Sequence, residues 1–431
     1  MSAGRICVST PMLCRARLRG MRRALVGLLI LGSIALCFAR PAALALEPED
    51  SALQVIDLQG DRVLSMLPGL ILNSKELVIT GPGPYLLRGE LEDLCLHIRS
   101  DGETVLILDN VTIRNSLDEA LVSEENCSLK LVAEKGTTNT LIAGAEGFLI
   151  PDKEASGAAL HAKGPLEICG EGSLQINGFI NNGIRCNDQL LISEHVNMEI
   201  QAANRAIRAT DCLIQDGAFR LSSGETCIYA DNSLVIRGGN LEADTSDHCI
   251  RSKGDIRIEG GTLHLQSSEK RGLTAVETVR ISGGEITMET YGDGIFSEAG
   301  ILISDGDVSV SSGEDGLQVG GRREYTGRPI RLTGGAVKIS AAEDPIDALD
   351  GWLVNGGKLL AAGCPDGGKD AAEGLNQKVY AKQVHGRKRE EILLRSGKND
   401  LLRLRAAHEY DTVIYSVPGA PGHSAVELLI Q

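Results

Sequence analysis

Several features that mark common protein classes are scarce or absent in this chain of 431 residues. Aromatic residues make up 3% of the sequence, with a single Trp, so a flat aromatic platform is hard to assemble. No C-x-x-C pair or His/Cys cluster suggests zinc. No window shows helical 3.6-residue spacing as clearly as strand-type alternation. The absences argue against zinc domains and helical bundles.

Basic residues are also fewer than acidic residues. The chain has 43 Lys and Arg against 58 Asp and Glu, which gives a net charge of −15. Seven of the arginines fall within residues 1–45, where no acidic residue occurs, so the remainder is more acidic still. An acidic surface disfavours nucleic acid and anionic membranes. We therefore expect no nucleic-acid partner.

Residues 1–45 have the pattern of a signal peptide. Five arginines between residues 15 and 23 precede an apolar run over 24–39, and Ala43-Leu44-Ala45 offers a cleavage site. The run is short for a membrane span, and no later segment resembles one, so we expect no integral membrane protein. A secreted or cell-surface location follows. A lipoprotein attached at Cys37 is disfavoured because Leu36 stands where a small residue is needed, and the start codon stays open.

The middle of the chain repeats with a period near 22 residues. An apolar residue, here called the anchor, follows a tight turn in each repeat, with spacings of 21 to 23 residues and a last spacing of 29. The anchors are Ile184, Ile207, Ile228, Ile250, Leu273, Ile295, Leu317 and Ile346. Leu121 and Leu160 occupy the same position in weaker, earlier repeats. Such a period predicts a solenoid whose units stack on one another.

Each repeat alternates apolar and polar residues on both sides of a Gly-Gly or Asp-Gly corner, as at Gly238-Gly239 and Asp305-Gly306. Period-2 alternation indicates strands, and glycine tolerates the positive φ of a corner. Three short strands and three corners in 22 residues predict one coil of a parallel β-helix. We assign residues 46–363 to this all-β solenoid with an N-terminal cap. Residues 364–431 are assigned to a linker and a small antiparallel β module, with strands near 391–395, 401–405 and 412–415, that caps the C-terminal coil.

Eight cysteines lie after residue 45, and two of them immediately precede anchors. Cys227 and Cys249 are expected to stack one coil apart, about 4.8 Å, which is within reach of a disulfide. Buried free thiols packed in a column are the favoured interpretation, because Cys is a common buried small residue. The sequence leaves both interpretations open.

Seven motifs resemble those of a known family. They are GPYLLRGEL at 83–91, LDNVTI at 108–113, GTTNTL at 136–141, NRAIR at 204–208, GDGI at 292–295, EDGL at 314–317 and YDTVI at 410–414. They resemble bacterial secreted carbohydrate-binding proteins with a right-handed parallel β-helix, akin in fold to pectate lyases. The resemblance implies polysaccharide binding and bound Ca²⁺. The family's usual acid before the anchor survives only in the last three coils.

Those acids are the candidate metal ligands. Asp293, Asp315 and Asp344 each lie two residues before an anchor, so they are expected to stack at about 4.8 Å, where two carboxylates repel by roughly 3–4 kcal/mol. Ca²⁺ would remove the repulsion, with further oxygen atoms from nearby acids. The nearby acids are Glu314, Glu343 and Asp347. A hydrated acidic corner with raised carboxyl pKa values is the alternative.

Arginines form a second column on the same turns and strands. Arg185, Arg208 and Arg251 each follow an anchor, and Arg271 lies on a nearby turn. Guanidinium groups at coil spacing suit the carboxylates of a uronic-acid polymer. A solvated face that neutralises surrounding acids is the alternative. The lengthened coil after Leu317 adds Arg322, Arg323 and Tyr325 as candidate carbohydrate contacts on a loop.

The sequence favours a polysaccharide-binding protein that is non-catalytic, monomeric and calcium-dependent, with an acidic or plant cell-wall polysaccharide as ligand. A calcium-dependent polysaccharide lyase, with Arg271 or Arg322 as base, is the enzymatic alternative. A structural or adhesin protein of the cell surface is a third. Neither the sugar nor the disulfide pairing follows from the sequence.

Overall fold

A computed structural model describes residues 52–145, 157–193, 195–320, 330–348, 351–365, 377–419 and 426–431. These residues form strands, turns and bends, and none of them is helical. No described segment is a helix long and apolar enough to cross a membrane. The predicted signal peptide and the loop carrying Arg322, Arg323 and Tyr325 lie outside the described residues.

The strands of the first half of the solenoid begin with two short antiparallel pairs, β1 with β2 and β3 with β4. Their bounds are β1 (Gln54–Gly60), β2 (Arg62–Val63), β3 (Leu70–Leu72), β4 (Glu76–Ile79), β5 (Gly83–Glu92), β6 (Cys95–Ile98), β7 (Gly102–Asn115), β8 (Leu121–Ser123), β9 (Cys127–Ala133), β10 (Thr138–Ala143), β11 (Ala158–Ala162), β12 (Leu166–Gly170), β13 (Ser173–Gly178), β14 (Asn182–Ile192), β15 (Asn197–Ala202), β16 (Ile207–Ile214) and β17 (Ala218–Ser223).

The second half continues the same parallel stacking to the last coil and ends in five strands after residue 377. The bounds are β18 (Ile228–Ile236), β19 (Asn240–Thr245), β20 (Ile250–Ser252), β21 (Ile256–Ile258), β22 (Thr262–Ser267), β23 (Leu273–Ala275), β24 (Thr278–Thr290), β25 (Ile295–Ser297), β26 (Gly300–Ser312), β27 (Leu317–Val319), β28 (Ile330–Ala341), β29 (Ile346–Ala348), β30 (Trp352–Gly363), β31 (Tyr380–Gly386), β32 (Glu391–Ser396), β33 (Asn399–Arg405), β34 (Tyr410–Ser416) and β35 (Glu427–Ile430).

The anchors form one continuous column through the core. Every predicted anchor from Leu121 to Ile346 pairs in parallel register with the anchor of the next coil. Leu77 and Leu96 extend the column towards the N-terminus. All of them are buried. The prediction of an all-β parallel β-helix is confirmed, with about eleven turns.

The corners need glycine because neighbouring coils come into contact there. Gly239, Gly261 and Gly284 each have φ +92°, in the left-handed region. A Cβ atom built on Gly261 would lie 2.8 Å from the carbonyl oxygen of Gly239 in the coil before. The predicted corners are confirmed, and their glycines allow neighbouring coils to approach closely at these positions.

The described cysteines are free thiols. Cys227 and Cys249 are fully buried, and burial raises the pKa of Cys227 to about 12. At neutral pH these thiols are uncharged and fill the core as small apolar groups. The structure therefore has the free-thiol arrangement at this pair.

The C-terminal strands divide between two sheets. β32 pairs with β33 and β35 in a small antiparallel sheet, as predicted for a C-terminal module. Residues 412–415 lie in β34, which pairs antiparallel with the last coil strand, β30, and with β31 rather than with the small sheet. The edge of β30 would otherwise expose unpaired backbone groups, and β34 covers it.

Candidate functional site

The strands that carry the anchors form one face of the solenoid, which we call the anchor face. Strand alternation turns the residue after each anchor outward, and the parallel register stacks these residues in an outer column. In coil order the outer column reads His161, Arg185, Arg208, Tyr229, Arg251, Thr274, Phe296, Gln318 and Asp347. A turn column runs beside it, two residues before each anchor. It reads Asn182, Arg205, Thr226, His248, Arg271, Asp293, Asp315 and Asp344.

Cationic side chains surround Tyr229 in the middle of the anchor face. The Cζ atoms of Arg205, Arg208 and Arg251 lie 4.8, 5.8 and 6.0 Å from its ring centroid. The Nζ atom of Lys253 lies 5.8 Å away. Four cations around one aromatic ring repel each other, so only the ring's negative face and nearby acids offset their charge. The predicted arginine column is thus assembled, with Tyr229 at its centre.

Few carboxylates neutralise this cluster. Asp231 binds Arg208 Nη2 at 3.1 Å and Lys253 Nζ at 2.6 Å. Burial would raise the pKa of Asp231, but the hydrogen bonds from Lys253 and Arg208 lower it. Arg205 pairs with Glu225 at 3.1 Å.

Arg251 lies on one side of this cluster, and on the other side Arg185 Nε donates to Asn187 Oδ1 at 3.0 Å. Within the described part of the chain, the Arg251 guanidinium makes no hydrogen bond or ion pair, and its contact is the Tyr229 ring. Burial and the nearby Arg208 lower the pKa of Arg185, so its charge is disfavoured where it stands. An added anion would therefore meet the Arg251 guanidinium, which has no acidic partner among the described residues.

The acidic end of the anchor face is built differently. Arg271 Nε donates to Asp293 Oδ2 at 2.5 Å, and its Cζ atom lies 4.2 Å from the Phe296 ring centroid. The other oxygen, Asp293 Oδ1, accepts the backbone N–H of Asp315 at 3.2 Å. Asp293 is 1% exposed and Asp315 is 6% exposed. The predicted row of acids exists, and it is buried.

Asp315 repeats the pattern one coil further on. Its Oδ1 accepts the backbone N–H of Asp344 at 3.0 Å, and its Oδ2 accepts Gln318 Nε2 at 2.7 Å. Burial, together with repulsion from Asp293, Asp347 and Asp344, raises the pKa of Asp315 to about 7. Near neutral pH this carboxyl is therefore protonated about as often as it is ionised.

The carboxylates of Asp293 and Asp315 are engaged in contacts within the protein rather than in an open oxygen shell. Ca²⁺ takes six to eight oxygen ligands, yet both oxygens of Asp293 and of Asp315 already accept hydrogen bonds. Arg271 also supplies positive charge at this point, and Glu314 and Glu343 are exposed. Among the described residues, no group of three His, Cys, Asp or Glu side chains is arranged to hold a metal. Calcium binding stays a prediction.

Arg271 is poorly placed for the role of lyase base. Its guanidinium is bound to a buried carboxylate and stacked on Phe296, so it already has partners for its charge. A base must instead present a free lone pair to the substrate. The structure offers no described contact that favours this role. The other proposed base, Arg322, lies outside the described residues.

Another surface carries a cavity that the sequence pattern did not predict. A cleft of about 880 Å³ lies between the coils and the C-terminal module. Its lining includes Asp244, Glu289, Tyr291, Arg389 and Arg405. The sequence does hold one signal for it. Tyr291 interrupts a position that small residues occupy in neighbouring coils, namely Ser246, Ser268 and Gly313.

Part of the chain is similar in sequence to proteins described as carbohydrate-binding. A family model described as "Carbohydrate-binding domain-containing protein" matches residues 73–242 and 238–398. A protein of the same description from Acetivibrio thermocellus is 30% identical over 128 residues, which is 29% of this chain and 45% of the relative. The matched part thus spans less than half of that relative.

A solved structure is also similar. It is described as the polysaccharide lyase-like protein from C. thermocellum, in a gadolinium derivative. The alignment has 22% sequence identity, covers 64% of this chain and 96% of that chain, and gives a TM-score of 0.37.

Proposed function

Because the chain belongs to the carbohydrate-binding domain-containing protein family, we propose that it is an exported, non-catalytic protein that binds an acidic polysaccharide along its anchor face. The observation that carries the ligand type is the outer column, where Arg185, Arg208 and Arg251 share one register and the last two lie beside the Tyr229 ring. Export rests on the signal-peptide pattern of residues 1–45.

Guanidinium groups suit this ligand for geometric reasons. A planar guanidinium binds a carboxylate through two parallel hydrogen bonds, and a uronic-acid polymer offers one carboxylate per sugar. Stacked strands repeat at about 4.8 Å, so the column is a straight track of donors rather than a single pocket. Since aromatic residues are scarce, charge and hydrogen bonds supply most of the binding in this proposal.

Calorimetric titration with polygalacturonate tests the proposal. We expect the triple variant Arg185→Gln, Arg208→Gln, Arg251→Gln to bind at least about tenfold more weakly, a loss of about 1.4 kcal/mol or more. Added salt is expected to weaken polygalacturonate binding by the wild-type protein more than binding by the variant, because exposed charge interactions are screened. The matched control is Arg220→Gln, Arg237→Gln, Arg280→Gln, which removes the same charge from other strands and turns of the coils.

Two results would overturn the proposal: binding by the triple variant within about twofold of wild type, or an equal loss in the control. The same titration, run with Ca²⁺ and again with a chelator, tests the calcium prediction. Metal-dependent heat that Asp315→Ala abolishes would support calcium at the acidic end. Absorbance from an unsaturated product would favour the lyase alternative.

A further inference from the structure

The cleft beside the C-terminal module has a floor of stacked polar side chains. Asp244, Gln266, Glu289 and Ser311 pair in register on β19, β22, β24 and β26. The first three are exposed. They form a column at coil spacing, on strands other than those of the anchor face. The floor therefore presents carboxylates and amide groups in a regular row.

Tyr291 stands at the edge of this floor. Its side chain is 65% exposed, which is unusual for a large aromatic residue in a chain with so few of them. It also lines the cleft. An exposed aromatic ring beside polar groups is a common element of ligand pockets, because the ring supplies contact area and the polar groups supply direction.

The opposite wall is basic. Lys388, Arg389, Arg405 and His408 come from the C-terminal module and line the same cleft. Backbone contacts hold this wall in place: Arg389 N donates to Ala406 O at 2.7 Å, and Ala407 N donates to Ser340 Oγ at 2.8 Å. Arg389 has φ +76°, a conformation that is uncommon for a residue other than glycine. The basic wall is thus anchored to a coil strand.

The charges on the two sides are not paired with each other. Within the described residues, the side chains of Lys388, Arg389 and Arg405 make no hydrogen bond or ion pair, and neither do those of Asp244 and Glu289. Elsewhere on the same elements the charges do pair, as in Arg403 with Glu391 at 3.1 Å and Arg220 with Glu242 at 3.1 Å. The cleft separates its opposite charges by a space of ligand size.

We infer that this cleft is a second carbohydrate site, which holds a short anionic segment of a polysaccharide with one sugar ring on Tyr291. Carboxylates of the ligand meet Arg389, Arg405 and Lys388, and its hydroxyl groups donate to Asp244 and Glu289. The inference rests on the proposed function only in taking the ligand to be a saccharide.

The test uses the full chain and short oligogalacturonates, with titration by calorimetry. Tyr291→Ala is expected to weaken binding at least about fivefold, and Arg389→Gln with Arg405→Gln at least about tenfold. The matched control is Arg387→Gln with Arg403→Gln, which removes the same charge from exposed positions of the same module. The control is expected to stay within about twofold of wild type.

The anchor-face triple variant separates the two sites. If the cleft substitutions weaken binding of short oligogalacturonates in the triple-variant background as they do in wild type, the inference holds whatever the fate of the anchor-face proposal. Unchanged binding in both cleft variants overturns the inference, as does an equal loss in the control. Absence of any binding of this probe to the wild-type protein also overturns it. Far-ultraviolet circular dichroism confirms that each variant is folded.

Discussion

The two halves of the anchor face share one backbone register and carry opposite charge. In the middle coils, basic side chains gather on the surface around Tyr229, and few acids neutralise them. In the last coils, Asp293 and Asp315 are buried, and each accepts a backbone N–H from the turn of the next coil. The basic side chains come mainly from the outer column and the buried acids from the turn column, so the two halves differ in both position and environment.

The two halves are therefore suited to different roles, one to binding a ligand and the other to holding neighbouring coils together. A carboxylate that accepts the N–H of the following turn ties two coils together, and it has little capacity left for a ligand. A guanidinium on the outer column retains donors that point away from the core. We therefore assign the acidic half a structural role and the basic half a role in binding.

The largest loss of stability is expected on substitution of Arg271, which lies where the basic and acidic halves of the anchor face meet. Arg271→Ala removes the partner of Asp293 and leaves a buried carboxylate beside Asp315, so the free energy of unfolding is expected to fall by about 3 to 5 kcal/mol. Urea unfolding measures it. Arg220→Ala, which breaks an exposed pair, is the control and is expected to cost about 0.5 kcal/mol. A loss below about 1 kcal/mol in Arg271→Ala would contradict the structural role.

The next effect is a pH dependence centred on Asp315. Its folded pKa of about 7 exceeds the ordinary 3.8, so between these values the folded state holds more protons than the unfolded state. Stability is therefore expected to fall as pH rises from about 4 to 7, and to level off above. The groups facing Asp315 are Asp293, Asp344, Asp347 and Gln318.

Asp315→Asn is expected to flatten this slope, which amounts to roughly 2 to 4 kcal/mol across the window. Urea unfolding of wild type and variant at several pH values measures it. Asp305→Asn, at an exposed corner, serves as the control and is expected to keep the wild-type slope. Parallel curves for wild type and Asp315→Asn would refute the assignment.

The smallest effect on stability is expected in the basic half. Asp231→Asn removes the partner of Arg208 and Lys253, but these groups are partly exposed, so the cost is expected to stay below about 1 kcal/mol. Binding of polygalacturonate is expected to strengthen about twofold, because two cations lose their internal competitor. Weaker binding, measured by the same calorimetry, would count against the outer column as the site.

Much of this site followed from the repeat. Register alone places Arg185, Arg208, Tyr229 and Arg251 in one column, because identical positions in stacked coils must coincide. The same register also places Arg271 one coil from Asp293, so their ion pair could be predicted from the sequence. The burial of the acids could not be predicted, since whether a turn residue faces solvent depends on how neighbouring turns close over it.

The C-terminal end shows the opposite case. The strands of the small sheet were predictable from alternation, but the pairing of β34 with β30 and the cleft between module and coils were not. Lys388 and Glu289 are about a hundred residues apart, and no local pattern reports their proximity. The sequence signal for the cleft is Tyr291, an aromatic residue at a position that small residues occupy in the neighbouring coils.

The sequence by itself determined the solenoid, its coil length and the columns along it, because alternation and glycine corners act over a few residues and repeat. The tertiary structure alone decided which column members are buried, which charges are paired and where the module docks. Those outcomes depend on contacts between distant segments, whose free energies are not written in any short stretch of the chain.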